Sequence, residues 1–330
     1  MADLLLIGAG FSRNWGGWLA TEAFEHLLGS PEVAEDLGLR RLLWKHLDRG
    51  GFEEALAELQ ADFDMNPIRF QGQLLALQSA VKRMFDDMNE AFMASPDWQF
   101  GQQDIERQVG TFLTRFDAIF TLNQDLLLEH HYTNAALIGK RRWDGLELPG
   151  MGRVPAEEPL HSDSWSRSTW TPLPEADFKV NANFQPIYKL HGSSNWARAD
   201  GHRLLIMGGT KAREIGQAPI LSWYAKVFDE SLSAAGSRLM VIGYGFRDNH
   251  INAAIAHGVE RGLKLFIVAP EGAELVRRLN PTRSPGQILM PSQLEGIVEE
   301  SLIGASRRSL REIFAEDTAE FSKIMRFFQA

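Results

Sequence analysis

The chain has 330 residues, enough for one large domain or two ordinary ones, and a formal net charge of -9. Hydrophobic residues make up 44% and charged residues 23%, which is typical of a globular protein and excludes a disordered or fibrous chain. The acidic balance argues against nucleic acid as the main partner, because phosphate binding needs a basic face.

Cysteine is absent, so the chain can form neither a disulfide framework nor a thiolate zinc site. An apolar segment at residues 4–7 follows Met1 almost directly, without the features of a signal peptide. No stretch reaches the roughly 18 apolar residues that a membrane helix needs. We therefore expect a cytoplasmic protein that does not bind membranes.

The predicted elements begin with a buried strand at Asp3–Ile7, which a glycine loop joins to a helix starting near Trp18. From there to about residue 116 the apolar residues keep helical spacing. The predicted helices of this region span residues 20–28, 34–47, 52–63, 68–93 and 105–116. We interpret the region of about 18–116 as a helical insertion after the first strand.

Strands and helices alternate in the second part of the chain. Strands are predicted at 118–122, 187–190, 204–207, 239–243 and 263–268, and helices at 125–131, 221–235 and 250–261. Residues of about 139–184 are rich in Pro, Gly, Ser and Trp and are predicted to be a long irregular insertion. The alternation predicts an α/β fold, a Rossmann-like parallel sheet with helices on both faces. Two C-terminal helices are predicted within 291–330.

The first motif is the glycine loop Gly8-Ala9-Gly10-Phe11-Ser12 after the first strand. Arg13 stands where the dinucleotide fingerprint Gly-x-Gly-x-x-Gly has its third glycine, and no strand ending in an acidic residue follows about twenty residues later. An ordinary dehydrogenase is therefore disfavoured. The glycines still allow the backbone to approach a diphosphate at a helix N-terminus, although a simple turn explains this loop as well.

Two further motifs end predicted strands. Thr121-Leu122-Asn123-Gln124-Asp125 lies where open parallel sheets place ligand contacts, and its Asn and Asp would serve equally as caps of the following helix. Lys189-Leu190-His191-Gly192-Ser193 ends a later strand. A lone histidine is more often structural than catalytic, so neither motif decides the function alone.

Together, Gly-Ala-Gly-x-Ser, Thr-x-Asn-x-Asp and Lys-Leu-His-Gly-Ser resemble, in order, the signatures of the sirtuin superfamily, which line one NAD pocket. A fourth segment, Gly243-Tyr244-Gly245-Phe246 followed by Asp248-Asn249-His250-Ile251-Asn252, is similar to a signature of the bacterial branch associated with anti-phage defence. The resemblance spans about residues 4–269. It implies a zinc-free, sirtuin-like NAD-binding catalytic domain at 1–269, followed by a C-terminal helical extension at 270–330.

The resemblance also implies roles for single residues. Asn123 would hydrogen-bond the nicotinamide ribose and position the attacking water, and His191 would be the catalytic histidine. Asp125 would lie on the nicotinamide side. The other implied NAD contacts are Gly8, Ala9, Gly10, Phe11 and Ser12 around the diphosphate, Gly243, Gly245 and Asn249 on the adenosine side, and Thr121, Gly192, Ser193 and Phe246.

The nucleophile decides which reaction such a pocket performs. With water, the reaction is hydrolysis of NAD to ADP-ribose and nicotinamide, which builds positive charge on the ribose as glycoside hydrolysis does. A fixed ribose, a positioned water and a base such as histidine suit this chemistry. Sirtuin deacylases carry a zinc module held by four cysteines, which this chain cannot build.

We therefore expect an NAD glycohydrolase that acts in anti-phage defence by abortive NAD depletion. A non-catalytic NAD or ADP-ribose sensor subunit and an NAD-dependent protein deacylase remain as alternatives. NAD is expected as substrate, and no metal is predicted. Because such an activity must be gated, we expect a homo-oligomer, and a partner such as a translocase-type ATPase, but neither a membrane nor direct nucleic-acid binding.

Overall fold

The structure of the protein is a computed structural model that describes residues 2–47, 51–94, 97–133, 142–154, 165–207, 211–274 and 293–329. The strands within these ranges are β1 (Asp3–Ile7), β2 (Ala118–Thr121), β3 (Gly145–Glu147), β4 (Met151–Val154), β5 (Thr169–Pro172), β6 (Phe184–Lys189), β7 (Gly192–Ala197), β8 (Arg203–Leu205), β9 (Arg238–Ile242), β10 (Lys264–Val268) and β11 (Leu302–Ser306). The α-helices are α1 (Ala9–Ser12), α2 (Ala20–Gly29), α3 (Pro31–Ala34), α4 (Leu37–His46), α5 (Phe52–Met65), α6 (Pro67–Ala94), α7 (Val109–Leu113), α8 (Leu127–His131), α9 (Lys211–Gln217), α10 (Pro219–Ser233), α11 (Asn249–Glu260), α12 (Gln293–Ser301) and α13 (Thr318–Met325).

A parallel sheet forms the centre of the fold. In the described residues it has seven strands in the order β11-β10-β9-β1-β2-β6-β3, and every pair is parallel. All residues of β2 and β9 are buried, although successive side chains point to opposite faces of a sheet. Other elements therefore cover both faces, and the predicted Rossmann-like α/β fold with flanking helices is confirmed.

The region between β1 and β2 is helical, as predicted. Its longest helix, α6, begins at Pro67, a residue suited to the first turn because it has no N–H to leave unpaired, and packs its apolar face on α5. The continuous helix predicted at 105–116 is wrong. Gln108 has an extended backbone and separates a short 3-10 turn, Ile105–Arg107, from α7. None of the described helices combines the length and apolar character that crossing a bilayer requires.

A second, smaller sheet lies beside the first and was not predicted. In the described chain its strand order is β4-β5-β7-β8, so the strand predicted at 204–207 belongs here rather than to the parallel sheet. Gly192 permits this change of sheet, because its φ of +74° turns the chain directly after β6. The predicted irregular insertion thus contains β3, β4 and β5, while its residues 139–141 and 155–164 lie outside the described ranges.

The end of the chain also differs from the prediction of helices alone. Residues 302–306 form β11, which pairs in parallel with β10 and extends the central sheet. At Gly304 a Cβ atom would lie only 2.5 Å from the ring of Phe266, so a glycine is needed for this close approach. After β11 come a π-helix, Glu312–Glu316, and α13. The beginning of the predicted segment, residues 291–292, lies outside the described ranges.

Candidate active site

Loops after four neighbouring strands carry the four motifs. These strands, β9, β1, β2 and β6, are adjacent and parallel, so their carboxyl ends share one edge of the sheet. The chain proceeds from β1 to β2 on one side and later returns to β9 on the other. The loops after β1 and β9 therefore flank a topological switch point, the place where open α/β sheets bind ligands.

Three glycines let the loops after β1 and β9 pack backbone against backbone. The Gly8 N–H donates to the Ile242 carbonyl at 3.0 Å, and the Gly10 N–H donates to the Gly243 carbonyl at 2.9 Å. A Cβ atom on Gly8 would lie 2.6 Å from the Gly243 carbonyl oxygen. At Gly243, whose φ is +65°, a Cβ atom would lie 2.2 Å from the Phe11 nitrogen. The predicted diphosphate loop is thus also a tight contact between two loops.

Ala9, Phe11 and Ser12 of the first loop differ in their exposure and in their neighbours. Ala9 is exposed at the start of α1, where the neighbouring N–H groups of Gly8, Gly10 and Phe11 already donate to backbone carbonyls. Phe11 is buried and packs its ring on Trp15 and Trp98, with centroids 5.1 and 6.4 Å away. Phe11 therefore belongs to the core, and only its backbone can contribute to a ligand site. Ser12 is buried and turns toward the second motif.

Ser12 connects Asn123 with Asp125. The Ser12 hydroxyl donates to Asp125 Oδ2 at 2.8 Å and accepts a hydrogen bond from Asn123 Nδ2 at 2.9 Å. Thr121 Oγ1 accepts from the Asn123 backbone N–H at 3.0 Å. An ionised carboxylate can only accept hydrogen bonds, so the Ser12 hydroxyl donates its proton to Asp125. The Ser12 oxygen is then an acceptor, and the atom of Asn123 that faces it must be the amide nitrogen, which donates. The Asn123 carbonyl oxygen is left for another donor.

A buried ion pair between Lys189 and Glu129 lies next to this hydrogen-bond network. Burial raises the pKa of Asp125, an effect that the charge of Lys189 opposes. Lys189 Nζ donates to the Asp125 backbone carbonyl at 2.7 Å and to Glu129 Oε1 at 2.6 Å. The Lys189 and Glu129 side chains are only 2% and 4% exposed. This ion pair was not predicted from the sequence, because Lys189 and Glu129 are 60 positions apart and no local pattern links them.

His191 belongs to a second polar cluster. Its Nε2 lies 3.1 Å from Nε2 of His250, the second residue of α11. Beside them, Lys211 Nζ contacts Asp248 Oδ1 at 3.0 Å and Glu53 Oε2 at 2.6 Å. Burial, reinforced by the charge of Lys211, lowers the pKa of His191 to about 3, so its imidazole is neutral near pH 7.

Sequence reasoning did not find the partners of His191. His250 appears in the sequence only as part of the fourth motif, and no role was assigned to it. The structure brings it to His191 across 59 positions, with Asp248 beside both. The only sequence signal for the cluster is the position of Asp248 and His250 directly after a strand-end loop.

Gln124 and Asn89 join the two clusters through their loops. Gln124 Nε2 donates to the His191 carbonyl at 3.1 Å, and the Gln124 carbonyl accepts from the Ser194 N–H at 2.9 Å. Asn89, on α6, accepts from the Leu126 N–H at 2.8 Å and donates to Ser194 Oγ at 3.1 Å. A helix of the insertion therefore holds the loops of Asn123 and His191 in register.

Some of the remaining residues predicted to contact NAD are buried, and others are accessible. Gly192 lies against the Leu204 carbonyl, where a Cβ atom would be 2.1 Å away, and Ser193 is fully buried, its hydroxyl without a hydrogen-bond partner in the described structure. Phe246 is buried on the Tyr244 ring with a positive φ of 52°. On this side Gly245 has open space around it, and Asn249 is exposed.

Comparison with known proteins identifies a family. The SIR2-like domain family matches residues 117–281, half of the chain, a range that includes Asn123, His191 and the fourth motif. A solved structure described as "Structural Basis for the Mechanism and Regulation of Sir2 Enzymes" aligns with 98% of this chain and 92% of its own, at 18% identity and a TM-score of 0.35. No match is found among curated proteins. The chain belongs to the SIR2-like family.

Proposed function

We propose that this protein is an NAD glycohydrolase, which uses water to cleave NAD into ADP-ribose and nicotinamide. Its SIR2-like domain points to an NAD-related activity. The loops after β1 and β9 meet at the switch point of the sheet, where a dinucleotide fits this class of fold. The exposed backbone at Ala9 would lie against the diphosphate, while the N–H groups of Gly8 and Gly10 hold the loop in place.

The orientation of the Asn123 side chain carries the proposal. Ser12 engages Nδ2, so the carbonyl oxygen is the atom that Asn123 can offer to a substrate. An acceptor suits a ribose hydroxyl or an attacking water, both of which donate. Its partial negative charge also favours the positive charge that develops on the ribose during cleavage.

His191 supplies the base in this proposal. Burial keeps its imidazole neutral, as a proton acceptor must be, although the same burial lowers its basicity, so substrate that approaches His191 must also restore its affinity for a proton. His191 follows β6, the neighbour of β2, so it leaves the same sheet edge as Asn123. Its Nε2 now faces His250, and substrate must compete with that contact.

The biological role proposed for this hydrolysis is defence against phage by NAD depletion. The Gly243-Tyr244-Gly245-Phe246 segment and the residues after it support that role. A homo-oligomer or a partner protein such as a translocase-type ATPase would gate the enzyme. Deacylation is disfavoured because a chain without cysteine cannot form the thiolate zinc module of sirtuin deacylases.

The test is release of nicotinamide from NAD by the purified chain, followed by chromatography. We expect Asn123→Ala and His191→Ala each to lower the rate by about 100-fold or more, because each removes a group that acts on the reacting atoms. His257→Gln, a change on α11 at a residue that pairs with Asp229, should keep the rate.

Two outcomes would contradict hydrolysis. Binding of NAD without nicotinamide release, in every oligomeric form of the chain, would favour a sensor subunit. Nicotinamide release that requires an acyl-lysine peptide would favour a deacylase.

A further inference from the structure

Three potential metal ligands meet at the end of β6 and the start of α11. They are one nitrogen each of His191 and His250 and a carboxylate oxygen of Asp248, and these atoms lie within 4.8 Å of one another. His191 is buried, and the other two are partly buried. Imidazole nitrogen with one carboxylate is a donor set that suits Zn²⁺ and related first-row ions.

The spacing of the two histidines fits a shared ion. Two nitrogens bound to one tetrahedral Zn²⁺ lie about 3.3 Å apart, because each Zn–N bond is near 2.0–2.1 Å. The Nε2 atoms of His191 and His250 are already 3.1 Å apart. Insertion of an ion between them and Asp248 therefore requires only a small outward movement.

The charges around the cluster also favour a cation. Lys211 contacts Asp248 Oδ1, but Glu53 lies 2.6 Å from the same ammonium group and offsets its charge. Two carboxylates and one ammonium leave a net charge of -1. Lys211 competes for one oxygen of Asp248, and the other remains available to an ion.

An entry path lies on the outer side of His250. A cavity of about 310 Å³ reaches this histidine between α9, α10 and α11, and its wall includes Leu190, Phe228 and Ile251. This cavity borders His250, and no residue of the Asn123 loop lines it. An accessible path is one requirement of a usable metal site.

We propose that His191, His250 and Asp248 form a Zn²⁺ site that holds the enzyme inactive. This departs from the expectation of no metal. The metal site is inferred from the positions of the three ligands and does not depend on the proposed function. The inhibition does depend on it, because it assumes that the protein hydrolyses NAD. An ion on His191 removes the lone pair that accepts a proton, and its double positive charge opposes the charge that develops on the ribose.

Metal binding is tested on the full chain without an affinity tag, after removal of metals with a chelator. Zn²⁺ is titrated by calorimetry, and Co²⁺ serves as a probe whose visible absorption reports nitrogen and oxygen ligands. We expect one ion per chain, with affinity at least tenfold lower in His250→Gln and in Asp248→Asn. His257→Gln, on the same helix, should bind as the unchanged protein does.

Absence of a Co²⁺ ligand spectrum in the unchanged protein would overturn the site. Equal Zn²⁺ affinity of His250→Gln, Asp248→Asn and the unchanged protein would do so as well. Circular dichroism of each variant shows which are folded, and if one variant fails to fold the other decides.

Inhibition by Zn²⁺ is tested separately, by the rate of nicotinamide release. In a preparation that releases nicotinamide, we expect Zn²⁺ to lower the rate at least tenfold and a chelator to restore it. Faster release with Zn²⁺, or an unchanged rate at saturating Zn²⁺, would overturn the inhibition. A chain that binds Zn²⁺ and never releases nicotinamide contradicts the proposed hydrolysis and the inhibition, while the metal site stands.

Discussion

Gly243 and Gly245 differ in what surrounds them, although both belong to the Gly-Tyr-Gly-Phe segment. Gly243 has a positive φ, and its Cα approaches the backbone of Gly10 and Phe11. Around Gly245 only the Arg247 side chain comes within 4.0 Å of an added Cβ. Sequence reasoning assigned both to the adenosine side of NAD. The structure adds a packing role for Gly243 alone.

We predict that Gly243→Ala lowers the free energy of unfolding by about 2–6 kcal/mol, since overpacking and a strained backbone each cost roughly 1–3 kcal/mol. Gly245→Ala should change it by less than about 1 kcal/mol, because the added methyl group meets open space. Urea denaturation of both variants measures the difference. Equal destabilisation by the two changes would show that the loop contact does not constrain Gly243.

Among the helices, α8 has two histidines, His130 and His131, in its last turn. A protonated histidine is normally favoured there by the helix dipole. Burial outweighs the dipole, because it lowers the pKa of His130 to about 4, helped by the nearby charges of His131, Arg167 and Lys189. His131 is also held inside, with Nε2 2.8 Å from the Phe92 carbonyl and its ring stacked on Trp98.

This burial makes stability depend on pH. His130 binds a proton below about pH 4 in the folded chain, but below its ordinary pKa of 6.5 in the unfolded chain. Between these values the unfolded chain holds the extra proton, so the free energy of unfolding falls as the pH is lowered through this window. We predict a shallower fall for His130→Gln, measured as urea midpoints at pH 7 and pH 5.

His202→Gln is the control for that experiment, since His202 is exposed in the turn before β8. Its midpoints should follow the unchanged protein at both pH values. If His130→Gln also follows the unchanged protein, burial of His130 does not govern the acid response.

At the scale of the whole molecule, the C-terminal residues join the core of the central sheet. Phe327 is 2% exposed, and its ring contacts those of Phe116 and Phe266, 6.1 and 6.2 Å away between centroids. Arg238, on β9, lies over the same ring at 5.4 Å. The division into a domain at 1–269 and an extension at 270–330 remains a prediction, and these contacts link the two parts closely.

Phe327→Ala should lower the free energy of unfolding of the entire chain by about 3–5 kcal/mol, the cost of removing a buried aromatic ring. Ile303→Ala, at a position 43% exposed on β11, should cost less than about 1 kcal/mol. The measurement is denaturant unfolding followed by tryptophan fluorescence and circular dichroism together. An independent extension would instead show a separate transition, with the main transition unchanged in Phe327→Ala.

Residue patterning alone predicts the class of fold and puts the motifs at the ends of strands. Short apolar runs such as Leu4 to Ile7 predict buried strands, and parallel strands bring their following loops to one edge. The sirtuin resemblance implied that Asn123, Asp125 and Ser12 line one pocket, and the structure joins them by hydrogen bonds. Their roles in catalysis stay predictions.

Features that depend on residues far apart in the sequence became visible only in the folded chain. Residues 302–306 form a strand because β10 offers an open edge, and 203–205 leave the parallel sheet because Gly192 turns the chain. The neutral state of His191 follows from its burial, and its contact with His250 from the packing that brings the start of α11 to the loop after β6. No local spacing encodes such contacts, since burial and proximity arise only when the whole chain has packed.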